Sequence, residues 1–164
     1  MRLIKILASF PTLIVAALPF SGRAQVATGN LDVRITITAD CQITATDAVD
    51  FGATGVLTSA VDASGTISVA CTQTTPFVIG LDAGMGSGAS TTTRYMSAGA
   101  DRIAYQLFRD PGRSNIWGNT SGADTLSGTG SGIAQVFPVY GRVAAQTTPA
   151  RGAYSDVVTV TVTY

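Results

Sequence analysis

Two cysteines, Cys41 and Cys71, are the residues of this 164-residue chain whose type and spacing point most directly to a chemical event. An isolated pair of cysteines in an exported protein is typical of a disulfide, whereas a redox-active pair is usually CxxC. A zinc site needs further cysteine or histidine ligands, and the chain has no histidine. The sequence therefore predicts a Cys41–Cys71 disulfide and no metal site.

Groups that could carry acid–base or nucleophilic catalysis are scarce. General acid–base catalysis uses a side chain whose pKa lies near the working pH, and the chain has neither histidine nor glutamate. The aspartates are scattered singly; Asp82 and Asp101 could join loop carbonyls around calcium, but no recognised calcium loop surrounds them. The glycine-rich stretch 80–88 lacks the following helix that a phosphate-binding loop requires. We therefore expect no enzymatic activity and no cofactor.

The first 24 residues have the pattern of a secretory signal peptide. Arg2 and Lys5 precede an apolar run from Ile6 to Phe20, and small residues precede a cleavage point predicted after Ala24. Without this leader the chain has seven arginines and ten aspartates, a net charge of −3. No basic cluster remains that could displace phosphate counterions, so nucleic-acid binding is not expected. We therefore expect an exported protein.

Short alternating apolar runs, separated by clusters of Gly, Ser, Thr and Asp, predict an all-β protein. Pro138 argues that its strand is an edge or has a bulge. Nine runs can be placed, some of them only two or three residues long, and they predict seven or eight strands. That number at this spacing is typical of an immunoglobulin-like β-sandwich, while a jelly roll or barrel stays open. The runs are 31–39, 49–51, 65–72, 77–82, 95–96, 102–109, 115–117, 133–143 and 155–164, with loops at 84–93 and 120–132.

The first of these runs has one apolar face. Leu31, Val33, Ile35 and Ile37 alternate with Asp32, Arg34, Thr36 and Thr38. On pattern alone this segment is the first strand of the chain's own sheet. Donation to another molecule, or a division of the segment between the two roles, remains open.

The ordered motifs of the chain resemble the spore coat protein U domain family, which includes subunits of archaic chaperone–usher pili. The resemblance spans the chain behind the leader and is carried by CQITATDAVDFGATG, GTISVACT, FVIGLDAG, RYM, YQLFRDPGRSNIWG, VYGRV and GAYSDVVTVTVTY.

This resemblance implies an immunoglobulin-like, pilin-type sandwich that is incomplete and is completed by a donated strand. A periplasmic chaperone lends a strand first, and at an outer-membrane usher the N-terminal segment of an identical or related subunit replaces it. The implied division is a signal peptide at 1–24, a donor segment at 25–40 and the sandwich domain at 41–164. The implied donor side chains are Leu31, Val33, Ile35 and Ile37; the implied groove wall and chaperone contact is Val158, Val160, Val162 and Tyr164.

The function predicted from the resemblance is that of a subunit of a surface pilus, or fimbria, that serves adhesion or biofilm formation. One alternative is a self-complete secreted coat protein of a cell or spore. Another is a carbohydrate-binding adhesin domain, whose site aromatic residues could line, although aromatics on alternating strands more often fill a sandwich core. These aromatics are Tyr95, Tyr105, Phe108, Trp117, Phe137, Tyr140 and Tyr154.

Overall fold

The computed structural model describes residues 22–164, and the chain divides into two units, Met1–Ile35 and Thr36–Tyr164. Residues 22–35, the described part of the first unit, contain no strand or helix, and all of them are exposed. The predicted signal peptide, residues 1–24, lies outside the described residues except for its last three. Among the described residues, no helix is long and apolar enough to cross a membrane.

The second unit confirms the all-β prediction, since residues 36–164 form strands and no helix. Its strands are β1 (Cys41–Asp47), β2 (Val61–Cys71), β3 (Pro76–Leu81), β4 (Arg94–Ala98), β5 (Asp101–Phe108), β6 (Leu126–Thr129), β7 (Ala134–Val143) and β8 (Val160–Thr163).

Two antiparallel sheets enclose the core. One has the order β1-β2-β7-β5-β4 and the other the order β6-β3-β8. The longest ladder joins β2 to β7, from Val61↔Val143 to Ala70↔Ala134. Because side chains alternate between the faces of a strand, every second residue of β2, β3, β5 and β7 points inward. The buried inward residues are Ile67, Val69, Phe77, Ile79, Leu81, Tyr105, Leu107, Val139 and Val143, joined by Leu57 and Trp117 from loops.

The segment 31–39 does not form a strand in this chain. Residues 22–40 have no sheet partner, so the expectation of a first strand in the chain's own sheet is wrong. Arg34 and Asp32 form an exposed ion pair of 3.0 Å, as neighbours on one face of an extended segment can. Alternation predicts which side chains share a face, but it does not predict which strand lies alongside.

The predicted short strand 49–51 is a loop. Val49 and Phe51 are half-buried and pack against the core without a ladder. Gly141 of β7 makes room for them, since a Cβ atom there would lie 2.5 Å from Val49 Cγ1 and 2.9 Å from Phe51 Cζ. The alternation of apolar residues at positions 49 and 51 therefore reflects the packing of both side chains against the sheet, and it does not mark a strand.

Three other expectations also need correction. The loop predicted at 120–132 contains β6, which pairs with β3. Residues 115–117 contribute one bridge, Phe108↔Ile116, and no full strand. The strand predicted at 155–164 is reduced to β8; beside it, the Thr159 carbonyl still accepts from the Asp82 backbone N–H (3.1 Å), but the Thr159 N–H donates to the Asp82 carboxylate (2.8 Å).

Pro138 lies in the interior of the larger sheet, where its strand β7 runs between β2 and β5. The pairing of β7 with β5 ends at Tyr140, however, so at Pro138 the strand has a neighbour only on the β2 side. The missing N–H of proline is tolerated at such a local edge.

Candidate strand-acceptor groove

Two strands with one free edge each border an open groove. Within residues 36–164, β1 pairs only with β2 and β8 pairs only with β3. A cavity of about 1350 Å³ lies beside them. Ile43 and Thr46 of β1 line it on one side, and Val158 and Val160 line it on the other. Free strand edges expose backbone N–H and C=O groups that can pair with a further strand.

The floor of the groove is apolar and belongs to the main core. It is formed by Ile67, Leu81, Tyr105, Leu107, Val139 and Val143, all of which are buried. These side chains come from both sheets, so the groove lies over the inside of the sandwich and not on an outer face. An apolar segment placed here would extend the existing core.

The groove closes at the end where β1 begins. The Tyr164 hydroxyl donates to Asp40 Oδ1 (3.0 Å), and the Gln42 amide donates to Asp40 Oδ2 (3.2 Å). The backbone of Asp40 is held in turn by Thr72, whose Oγ1 accepts from the Asp40 N–H (2.7 Å) and whose N–H donates to the Asp40 carbonyl (2.9 Å). Asp40 therefore connects the start of β1, the end of β2 and the end of β8.

Loops 48–55 and 148–156 border the other end of the groove. There the Tyr105 hydroxyl donates to Asp156 Oδ2 (2.6 Å), while the N–H groups of Met85 and Val157 donate to Asp156 Oδ1. Burial and the neighbouring Asp156 carboxylate raise the pKa of Tyr105 well above its usual value, so the hydroxyl remains a donor. This carboxylate has partners for both oxygens and holds the wall of the groove in place.

Asp82 fixes the point where the last strand joins β3. Its Oδ1 accepts from the N–H groups of Gly84 (2.9 Å) and Thr159 (2.8 Å). Partial burial opposes ionisation, but the hydrogen bonds from Thr159 and Gly84 and the charge of Arg94 outweigh it and hold the pKa of Asp82 below its usual value. The carboxylate is thus used for structure. No cluster of three or more potential metal-binding side chains occurs in the described part of the chain.

The four residues predicted to form the groove wall lie in different surroundings. Val158 and Val160 line the groove. Val162 packs against the core, and Tyr164 is 56% exposed and bound to Asp40.

The side chains predicted to be donated lie in solvent. Leu31, Val33 and Ile35 are 85–87% exposed, and Ile37 is 70% exposed. In the isolated chain these four apolar side chains are therefore mostly exposed to solvent. Free strand edges and an exposed segment of alternating apolar residues thus occur in one polypeptide.

The predicted disulfide is present between Cys41 and Cys71, which lie opposite each other in the β1–β2 ladder. It fixes β1 at its first residue. This matters for the groove because the other six residues of β1 are exposed and contribute little packing.

Arg94 is a buried residue that the sequence pattern did not reveal. Its side chain is 0% exposed, and its guanidinium donates to the carbonyls of Leu81, Asp82, Thr91 and Trp117 at 2.8–3.0 Å. Burial lowers the pKa of Arg94, although an arginine stays protonated. The charge-assisted bonds hold the end of β3, which forms part of the groove floor, to the loops beside it.

Trp117 does not form a carbohydrate-binding surface. It is 0% exposed, and its indole N–H donates to the Ile79 carbonyl (2.9 Å) in the core. Phe108 and Tyr105 are also buried. The Trp117 ring therefore fills the sandwich, which is the position that the alternation favoured for aromatic residues, and it offers no surface to a carbohydrate.

Comparison with solved structures gives a match to a chain of the crystal structure of the CsuC–CsuE chaperone–tip adhesion subunit pre-assembly complex, from archaic chaperone–usher Csu pili of Acinetobacter baumannii. The TM-score is 0.57 at 24% sequence identity, and the match covers 79% of this chain and 40% of that chain. This likeness shows the fold, an immunoglobulin-like β-sandwich.

Sequence comparison gives two further matches. Protein U of Myxococcus xanthus is 36% identical over 107 residues, which cover 62% of this chain and 59% of that protein. The present chain thus spans less than two thirds of both relatives. The family model of the Spore Coat Protein U domain matches residues 27–161, nearly all of the described chain. The chain belongs to the Spore Coat Protein U domain family.

Proposed function

We propose that this protein is a structural subunit of a surface pilus, assembled by the chaperone–usher pathway through donor-strand exchange. Residues 31–37 of one copy fill the groove between β1 and β8 of the next copy. The observation that carries the proposal is that an open apolar groove and an exposed segment of alternating apolar residues without a sheet partner occur in the same chain. The likeness to a chain of a chaperone–subunit complex supports it.

The donor segment suits the groove in length and chemistry. Seven residues in extended conformation span about 20 Å. The four exposed side chains, Leu31, Val33, Ile35 and Ile37, all lie on one face of such a strand. Burying them contributes a gross gain of about 6–12 kcal/mol, at roughly 1.5–3 kcal/mol each. Backbone hydrogen bonds to the free edges of β1 and β8 add to this gain, and ordering the segment offsets part of it.

The closed end of the groove determines the direction of the donated strand. The donor is attached to its own domain just after Ile37, so the Ile37 end of the strand must leave the groove away from the closed end, near Phe51 and Val157. Leu31 then lies toward the closed end at Asp40 and Tyr164. In this direction the donated strand is antiparallel to β8 and parallel to β1.

The open groove and its two free strand edges also explain why the subunit needs a chaperone and an usher. A free subunit with an open groove and two unpaired edges is prone to aggregation, so a periplasmic chaperone covers the groove in transit and an outer-membrane usher replaces it with the next subunit. Contacts of this head-to-tail kind generate open filaments. The filament serves attachment or biofilm formation at the cell surface.

A self-complete coat protein is less well supported. Such a protein would pair or cover its strand edges, whereas β1 and β8 border an open groove in the described part of the chain.

Two substitutions that add the same charge test the proposal. The full chain is produced with its periplasmic chaperone and usher and carries either Val33→Asp, on the apolar face, or Thr36→Asp, on the polar face. Both positions are exposed in the free subunit, so both variants should melt like the wild type. Val33→Asp should fail to polymerise, because it places a carboxylate in the apolar groove, and Thr36→Asp should form filaments. Equal polymerisation of the two variants would refute donor-strand exchange by this segment.

A further inference from the structure

We propose that Asp40 and Tyr164 form a stop that sets the register of the incoming strand. This inference rests on the proposed function and goes further by naming the side chains that fix how far the strand enters. It places Leu31 as the last apolar residue inside the groove.

The position of the stop follows from the residues on either side of it. Val160 lines the groove, whereas Val162, two residues closer to Tyr164, does not. Ile43 lines it on the β1 side, whereas Cys41 does not. Just beyond Val162 and Cys41, the hydrogen bond from Tyr164 to Asp40 joins the two strand edges, so an incoming strand could pass this point only by breaking it.

The register follows from this limit and from the strand direction. An antiparallel strand whose last inserted apolar residue is Leu31 places Leu31 opposite Val160 and Val33 opposite Val158. Ile35 and Ile37 then lie opposite Asp156 and Tyr154. These four acceptor positions are Val160, Val158, Asp156 and Tyr154, and all of them line the groove.

The donor sequence agrees with a stop at this point. Gly29 and Asn30 directly precede Leu31, and both residue types are common in turns. They allow the chain to bend out of the groove where Asp40 and Tyr164 block its path. Residues 25–30 then remain outside the groove.

Without the contact between Asp40 and Tyr164, the donated strand should slip by two residues toward the closed end of the groove. A slip of one residue would turn the apolar face outward, whereas a slip of two keeps it inward. Slippage toward the closed end brings Val33 opposite Val160. The stop thus selects one of two registers that the apolar pattern alone allows.

Cysteine pairs between two differently tagged copies of the full chain test the register. The acceptor copy carries Val160→Cys, and the donor copy carries either Leu31→Cys or Val33→Cys. In the otherwise unchanged chain, the Leu31→Cys donor should give the dominant disulfide-linked dimer. With Tyr164→Ala or Asp40→Ala in the acceptor, the dominant product should shift to the Val33→Cys donor. Thr163→Ala, at an exposed neighbouring position, is the matched control and should leave Leu31→Cys dominant.

The possible failures are distinguishable. If the dominant product is unchanged in both stop variants, or if Val33→Cys already dominates in the unchanged chain, the stop is refuted while strand exchange stands. If neither donor forms a linked dimer in any acceptor, strand exchange itself is refuted. Tyr164 and Asp40 are exposed side chains, so both variants should keep the wild-type melting temperature, and this measurement accompanies the crosslinking.

Discussion

Replacing Ile35 with alanine should weaken the joint between subunits and leave the subunit itself intact. In the free chain the Ile35 side chain is 85% exposed, so its truncation should change the free energy of unfolding by no more than about 0.5 kcal/mol. In the filled groove the same side chain is buried against the core, and its loss should destabilise the joint by about 2–4 kcal/mol. At 1.4 kcal/mol per factor of ten, this corresponds to a roughly 30- to 1,000-fold faster release of subunits.

Purified filaments of the wild type, of Ile35→Ala and of Thr36→Ala provide the assay. Each is held in guanidinium chloride at a concentration below the unfolding midpoint of the subunit, and released monomer is followed by size-exclusion chromatography. Thr36 lies on the opposite face of the strand, so its alanine variant should behave like the wild type. Equal release from the two variants would refute the reasoning. A matching loss of stability in the free Ile35→Ala subunit would refute it as well, because Ile35 would then belong to its own domain.

Three further predictions concern the domain. Reducing the Cys41–Cys71 bond, which has a sequence separation of 30, should lower the free energy of unfolding by about 3–4 kcal/mol in urea titrations; an unchanged midpoint would contradict this. Arg94→Lys should destabilise the domain by roughly 2–5 kcal/mol in the same titration, because an ammonium group cannot reach the four carbonyls bound by the guanidinium; wild-type stability would show that these bonds are dispensable. Stability should fall as the pH drops below about 4, because Asp82 and Asp110 ionise more readily in the folded chain and this advantage is lost on protonation. For Asp110, desolvation raises the pKa, but hydrogen bonds from Asn115 and Ser114 outweigh it and lower the pKa to about 2. A urea midpoint that increases as the pH is lowered from 5 to 2 would contradict the prediction.

Alternation predicted those strands whose inward face is apolar along the whole length. In β2, Ile67, Val69 and Cys71 recur at every second position and are all buried, because one face of the strand packs on the core. The period of two carries this information directly. It could not show that the similar pattern at 31–37 has no partner in the same chain, because the partner of a strand is decided by the free edges of the folded domain.

Strand β6 is the opposite case, because it is a strand where the sequence pattern predicted a loop. Its sequence, LSGT, has one apolar residue and the composition of a loop. It is a strand because its backbone pairs with β3, and Gly128 lies against the Phe77 ring at a point where a Cβ atom would clash. Pairing of this kind depends on the backbone and on a close approach, and it leaves no alternating side-chain pattern.

The candidate site was predictable only in part. The resemblance to the family implied a groove wall formed by the last strand, and Val158 and Val160 of that segment do line the groove. The floor, the Arg94 side chain and the contact between Asp40 and Tyr164 join residues that are far apart in sequence. No local spacing rule relates such residues, so their proximity is visible only in the folded structure.

Hydrogen exchange of the backbone amides in filaments and in free subunits tests the central claim most directly. In the free subunit, the amides of 31–37 have no backbone partner within the described chain and should exchange rapidly. In the filament, the account predicts strong protection of these amides together with slower exchange at 157–163, where β8 gains a neighbouring strand. Rapid exchange of 31–37 in intact filaments would contradict the account, because the segment would then lie outside any sheet.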